Sequence, residues 1–250
     1  PAGVLVVCIS DTHGRHGQIA HIPAGDVLIH AGDFSDTGHS KGIRDFVDWM
    51  DSLPHKQKIF IAGNHDTTLH TEYYVNRGAE RFHPRPERRE GMEPAAYSEL
   101  CREAVRSSRT CTYLEDSTTH IEDVSSGEDS CTNLVYGSPW QPEFCDWAFN
   151  LDRGQPCAST WEKIPLETDV LITHGPPLGY GDRTQSGFRC GCEDMSNILE
   201  HRLRKPRVHI FGHIHEDCGT WYNGNTLMIN ASTCNFNYRP LNKPVMFHLP

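Results

Sequence analysis

Five short apolar runs, each ending in polar residues able to bind a metal ion, constrain this chain more than any other feature. Val4–Ile9 leads into Ser10-Asp11-Thr12-His13-Gly14, and Val27–His30 leads into Ala31-Gly32-Asp33. Ile59-Phe60-Ile61 leads into Ala62-Gly63-Asn64-His65-Asp66. Val170–Thr173 leads into His174-Gly175-Pro176-Pro177, and Val208–Phe211 into Gly212-His213-Ile214-His215. Runs this short and this rich in β-branched residues read as buried strands. Helical patterns lie between them. Residues 42–53 place Ile43, Phe46, Val47 and Met50 at helical spacing and stop at Pro54. Residues 94–107 open on Pro94 and carry Tyr97, Leu100, Cys101, Ala104 and Val105 on one face, and 195–203 stop before Lys205-Pro206. Strands alternating with helices predict α/β layering. In such sheets sites gather at the carboxyl ends of the strands, so five separated motifs are expected on one rim.

The remaining composition narrows the class. A chain of 250 residues without internal repeats is read as one domain, 1–250. It is large enough to bury roughly 70–75% of its unfolded surface without disulfide or metal staples. With 23 Lys and Arg against 33 Asp and Glu, the net charge of −10 excludes broad nucleic-acid binding. No run approaches the ~20 apolar residues of a membrane span. A small phosphorylated substrate remains compatible, because bound cations reverse the local field. The ten Cys are expected to be reduced thiols. Pro1-Ala2-Gly3 opens straight into a strand with no basic region or cleavage site, which gives a cytoplasmic expectation. Cys190-Gly191-Cys192 lacks C-x-x-C spacing, and Asn230-Ala231-Ser232 is a formal glycosylation triplet. The Arg-, Glu- and Pro-rich stretch 77–93 is expected to be a solvated loop or insertion.

Seven side chains at the strand ends carry oxygen or nitrogen donors: Asp11, His13, Asp33, Asn64, His174, His213 and His215. One metal takes about four to six ligands, so seven suit two metals sharing a bridging carboxylate. The mixture of carboxylate, amide and imidazole suits Mn, Fe, Zn or Co, and the absence of thiolate disfavours a structural zinc. Taken singly, each motif is weak, and an Asn after Gly is commonly just a turn. Their joint occurrence after five strand-like runs carries the signal.

In this order Asp11-x-His13, Gly32-Asp33, Gly63-Asn64-His65-Asp66, Thr173-His174-Gly175 and Gly212-His213-x-His215 resemble the calcineurin-like metallophosphoesterase signature. His30-Ala31-Gly32-Asp33-Phe34, Tyr136-Gly137-Ser138-Pro139-Trp140, the run from Thr173 to Gly179 and Ile229-Asn230-Ala231-Ser232-Thr233-Cys234 are similar to its metallophosphoesterase-domain-containing branch. The resemblance implies a four-layer α/β/β/α sandwich with two mixed β-sheets. It implies that Asp11, His13 and His215 hold one metal, that Asn64, His174 and His213 hold a second, and that Asp33 bridges. His65 would face the scissile phosphate, with Asp66 as its orienting partner.

Physical chemistry is compatible with those roles. Two cations about 3.5–4 Å apart clamp a phosphoryl group and lower the pKa of a bridging water, which attacks phosphorus as hydroxide. His65 could protonate the leaving oxygen or stabilise phosphoryl charge. Trp140 is either a platform for a base or aromatic leaving group or a packing residue. Arg183 and Arg189 are either phosphate contacts or surface charges, and His39 and His16 are weaker candidates for the rim. The expected activity is hydrolysis of a small phosphodiester, with a cyclic nucleotide as a candidate and Mn as the supporting metal; the branch resemblance alone supplies the diester preference. A phosphomonoesterase, a hydrolase recruited to another small molecule, and a non-catalytic protein-binding scaffold are the alternatives. The intact set of seven donors argues against the scaffold. The oligomeric state is left open.

Overall fold

Each of the five apolar runs is a strand in the computed structural model of this chain, whose described residues are 3–122, 132–203 and 206–249. β1 (Val4–Ile9), β2 (Val27–His30), β3 (Gln57–Ile61) and β4 (Cys111–Leu114) pair in parallel, one beside the next. β5 (Ser117–Glu122) and β6 (Thr132–Ser138) form an antiparallel pair, and β7 (Gln141–Pro142) and β8 (Asn150–Leu151) a small separate ribbon. β9 (Val170–Thr173), β10 (Val208–Phe211), β11 (Gly219–Tyr222), β12 (Leu227–Asn230) and β13 (Val245–Leu249) follow. One sheet has the order β13-β1-β2-β3-β4, the other β11-β12-β10-β9-β6-β5. Antiparallel strands occupy edges (β13, β11 and β5), and parallel strands fill the middle of both sheets.

The two sheets pack face to face. Val6, Cys8, Ile29, Ile59 and Ile61 of one meet Val135, Val170, Ile172, Ile210 and Ile229 of the other. The alternate residues of the same strands point outward. Val7, Ile9, Leu28 and Phe60 are covered by helix α1 (Ser40–Ser52) through Ile43, Phe46 and Met50. Both faces of these strands are therefore buried, which is why they read as continuous apolar runs. Truncating a fully buried aromatic such as Phe46 to Ala is expected to cost about 3–5 kcal/mol.

Between β3 and β4 the chain adds α2 (Thr71–Tyr73), a π-helical turn Tyr74–Gly78, α3 (Ala79–Phe82), a 3-10 turn Pro86–Arg89 and α4 (Pro94–Arg106). α4 lays Tyr97, Cys101 and Val105 on the same core as α1. On the far side α5 (Gln155–Trp161) and α6 (Glu193–His201) cover Tyr136, Leu171 and Phe211 with Cys157, Trp161, Met195, Ile198 and Leu199. The layer order is thus α/β/β/α, as expected.

The stretch 77–93 is mostly exposed but is not an irregular loop throughout. Much of it is helical, and it encloses two polar side chains, His83 and Arg89, exposed by only 1% and 9%. Tyr74 Oη lies 2.8 Å from His83 Nδ1, and the Arg89 guanidinium donates to the His83 carbonyl. Most charged residues of the stretch face solvent, but the Arg89 charge is spent on internal hydrogen bonds, which composition does not reveal. Among the described residues no helix is long and apolar enough to cross a membrane.

Candidate metal centre

β1, β2 and β3 run parallel, as do β9 and β10, and their carboxyl ends meet where the two sheets abut. Ser10 forms a parallel bridge with Ser232 across that seam. The chain turns sharply there. Asp11, His13, Asp33 and His213 adopt left-handed backbone, with φ of 52°, 42°, 55° and 69°. Such positions cost about 1–3 kcal/mol each for non-glycine residues and persist only where surroundings over-determine them. Backbone bonds do so here: Asp11 N donates to Gly32 O at 2.9 Å and His13 N to Asp33 O at 3.0 Å. Two neighbouring glycines are required by closeness. A Cβ on Gly212 would strike the Asp11 carboxylate, and one on Gly63 would strike that of Asp33.

All seven predicted donors converge on this rim. Ligand atoms of Asp11, His13 and His215 lie within 4.8 Å of one another, as do those of Asp33, His174 and His213. Asn64 joins the second group, its Oδ1 lying 3.0 Å from His174 Nε2. His13 Nε2 lies 3.7 Å from Asp33 Oδ2, so Asp33 touches both groups. Five of the seven are buried, and His213 and His215 are half-buried at the rim.

The orientation of the imidazoles fits a cation. His174 Nδ1 donates to the Ala31 carbonyl at 2.9 Å, which leaves Nε2 as the inward nitrogen. That nitrogen faces two oxygens, Asn64 Oδ1 and Asp33 Oδ2, at 3.0 and 3.3 Å. His215 repeats the pattern: Nδ1 donates to the Asn235 carbonyl at 3.2 Å, and Nε2 faces Asp11 Oδ1 at 3.3 Å. It also faces His13 Nε2 at 3.1 Å. A neutral imidazole committed through its outer N–H presents only a lone pair inward, and lone pairs aimed at oxygens repel unless a proton or a metal lies between. Outer carbonyl partners of this kind are the usual support for metal-binding His.

The ionisation of the cluster follows the same logic. Burial pushes the Asp33 carboxyl up, but His174 and His65 outweigh it and hold it well below the usual carboxylate range. Burial likewise opposes charge on His174, yet Asp33 and Asp11 raise it to about 9. Desolvation, with His174 beside it, lowers His213 to about 3. The carboxylates are thus ionised and in need of positive charge. Asp11 is further held by the Ser232 hydroxyl at 2.9 Å and by the His213 amide at 3.0 Å.

A cleft of about 140 Å³ opens over the cluster, lined by Asp33, Asn64, His65, His213 and His215 together with Phe144, Thr184, Phe236 and Tyr238. His65 stands at its edge, with Nδ1 donating to the Asp36 carbonyl at 2.8 Å. The expected orienting role of Asp66 for His65 is not what the structure has. The buried Asp66 carboxylate accepts from Gly63 N and Ser35 N, each at 2.9 Å, and from the Ser35 hydroxyl at 2.6 Å. It therefore braces the two loops that carry Asp33 and Asn64. Burial, with Asp33 second, pushes its pKa up to about 7.

The substrate candidates are corrected as well. Trp140 is a packing residue: its indole N–H donates to Asp116 Oδ2 at 3.0 Å, and its ring packs edge-on to His70 and Phe149. Arg189 is paired with the buried Asp182 carboxylate. Arg183 is exposed, its backbone amide tied to Asp217 Oδ2 at 3.0 Å, and it is the next residue, Thr184, that lines the cleft. His39 caps α1, accepting from Lys41 N, and His16 packs on Trp49. Asn230 is fully buried, its amide donating to the Gly181 and Ile214 carbonyls, so its sequon is closed to glycosylation. The nine described Cys are free, and Cys131 lies outside the described residues. Cys192 groups with Cys157 and Asp194, not with its sequence neighbour Cys190. Sequence reasoning missed Trp147, stacked on His65, and it missed Ser232 and Tyr238; only Ser232 lay in a motif that had attracted notice.

A four-layer sandwich with a buried carboxylate and imidazole cluster on its rim is the architecture of a metal-dependent phosphoesterase. Residues 4–217 match the calcineurin-like phosphoesterase family, and the chain belongs to it. It is 42% identical over 252 residues to metallophosphoesterase domain-containing protein 1 of Homo sapiens, covering 100% of this chain and 72% of that protein. It is 36% identical to a UPF0046 protein of Caenorhabditis elegans, covering 100% of this chain and 61% of that one. A solved crystal structure superposes with a TM-score of 0.62 at 16% identity over 98% of both chains, a likeness of fold. Metal-dependent phosphoester hydrolysis is the activity this family supports.

Proposed function

We propose that this chain hydrolyses a small phosphodiester, with a cyclic nucleotide as the candidate, using two bound transition-metal ions. The observation that carries the reading is the inward aim of His174 and His215 at carboxylate and amide oxygens, with their outer nitrogens committed to carbonyls. In this reading Asp11, His13 and His215 hold one ion, Asn64, His174 and His213 the other, and Asp33 both. When bound, such ions supply Lewis acidity toward the phosphoryl oxygens and a nucleophilic water at neutral pH.

The chain's own residues supply the rest. The buried carboxylates keep their charge and so retain the ions. His65, with Nδ1–H tied to Asp36 O, presents Nε2 to the cleft; in its imidazolium form the Nε2–H donates to the phosphoryl group or passes its proton to the leaving oxygen, leaving the neutral ring. Phe144, Phe236 and Tyr238 give the cleft an aromatic rim that limits water. The diester preference rests on the resemblance to the metallophosphoesterase-domain-containing branch. The test is hydrolysis of bis-p-nitrophenyl phosphate beside p-nitrophenyl phosphate by Mn-loaded protein. Faster diester turnover, abolished in Asp33→Ala, is expected. Faster monoester turnover would make it a phosphomonoesterase, and silence on both esters with two ions bound would remove the reading.

A further inference from the structure

Segment 144–149 follows a contorted path beside the cleft. Cys145, Asp146 and Phe149 are non-glycine residues with φ of 56°, 51° and 55°. Left-handed backbone at three of six positions is unfavourable and needs external restraint. The helical segment from α2 to α3 provides it. The Tyr73 hydroxyl donates to the Asp146 carbonyl at 2.8 Å, and Arg77 pairs with the Asp146 carboxylate. The Arg81 guanidinium donates to the carbonyls of Cys145 and Asp146.

What this path delivers is Trp147. Its indole lies on the His65 imidazole with ring centroids 4.0 Å and planes 22° apart. Phe82 packs against Trp147 at 4.5 Å, and the Arg81 guanidinium lies 5.1 Å from its ring. Trp147 belongs to none of the three apolar cores, so core packing does not account for its place. Besides the indole, the His65 ring meets the Asp36 carbonyl on Nδ1 at 2.8 Å, the edge of His13 at 4.5 Å and, more distantly, the tilted Tyr238 ring at 6.2 Å. The hydrogen bond fixes the tautomer, while the stacked indole fixes the plane of the ring.

We propose that Trp147 is a positioning residue for the reaction, its indole holding the His65 imidazole so that Nε2 stays directed at the phosphoester. The claim rests on the phosphoesterase reading for its purpose and on the stacking geometry for its substance. It also gives the helical segment 71–82 a role: through Tyr73, Arg77, Arg81 and Phe82 it sets the position of a group on the rim.

Two measurements test it. In proton NMR of metal-free protein, the His65 ring signals, assigned by their loss in His65→Asn, are expected upfield under the indole ring current. They should move downfield in Trp147→Ala and partly so in Trp147→Phe. In steady-state kinetics of Mn-loaded protein, Trp147→Ala should lower kcat about 10- to 100-fold, with KM changed by less than about threefold. Trp147→Phe should recover most of the rate, and it keeps the test open if the Ala variant does not fold. Unmoved His65 signals in both variants would overturn the proposal. So would a rise in KM at unchanged kcat, which would make Trp147 a substrate contact. Wild-type protein inert toward both esters would count against the phosphoesterase reading alone, because the ring shift still decides the positioning claim.

Discussion

At the residue scale the centre separates His65 from the imidazoles aimed at carboxylates. His65 is half-buried at the rim and tied through Nδ1 to a backbone carbonyl, whereas His174 and His215 aim their free nitrogens at buried carboxylates. The ligand atoms of His13, Asp33 and His65 are nonetheless close enough to form a third grouping. Replacement distinguishes the two roles. His65→Ala is expected to keep two ions per chain by elemental analysis while losing about 10²–10⁴ in kcat, the range for a general acid. Loss of an ion instead would make His65 a ligand. Gly212→Ala tests the crowding of the opposite wall. Its Cβ would meet the carboxylate of Asp11, so the variant is expected to lose the ion shared by Asp11, His13 and His215. Retention of both ions, with wild-type turnover, would show that the wall yields.

At the element scale the strands that carry the site also had the plainest signal in the sequence. A different junction makes a separate prediction: Asp51, near the end of α1, accepts from the Ser108 and Thr110 hydroxyls at 2.8 and 2.7 Å and from Arg109 N at 3.1 Å. It thereby ties the helix to the start of β4. Burial opposes its ionisation, but these donors hold its carboxyl below the usual carboxylate range. A depressed carboxylate contributes stability that is full above the unfolded value, about 3.9, and is lost as pH falls below it. Asp51→Ala should therefore cost about 1–3 kcal/mol at pH 7 in denaturant unfolding, with the gap from wild type narrowing below about pH 4. A gap independent of pH would mean the charge is not what matters. β1, β2, β3, β9 and β10 were legible because both of their faces are buried, and their ligands were legible because they follow directly. β5, β11 and β13 were not, since they alternate exposed and sheltered residues at sheet edges and present no apolar run. Trp140 and Trp147 show the limit of such reading. Both are aromatic residues in the same stretch, and only the path of the chain between them decides which one stacks on His65.

For the whole molecule, the donors make the centre a clasp between two sheets. Asp11, His13, Asp33 and Asn64 follow strands of one sheet, while His174, His213 and His215 follow strands of the other. Without a cation the rim is held by ion pairs such as His174 with Asp33, in a chain whose net charge is already −10. Cations bound there would relieve the excess of buried carboxylate and couple the sheets directly. Any ligand bound only by the folded state stabilises it by mass action, about 2.7 kcal/mol at one hundred times Kd. For a chain of this size that raises the unfolding midpoint by roughly 5–11 °C. Wild-type protein loaded with Mn should therefore melt at least several degrees above chelator-treated protein. Asp33→Ala, which removes the carboxylate shared by both groups, should melt at one temperature in either state. His65→Ala should retain the full metal-dependent shift despite its lost turnover. A metal-dependent shift that survives in Asp33→Ala would place the ions somewhere other than between the sheets.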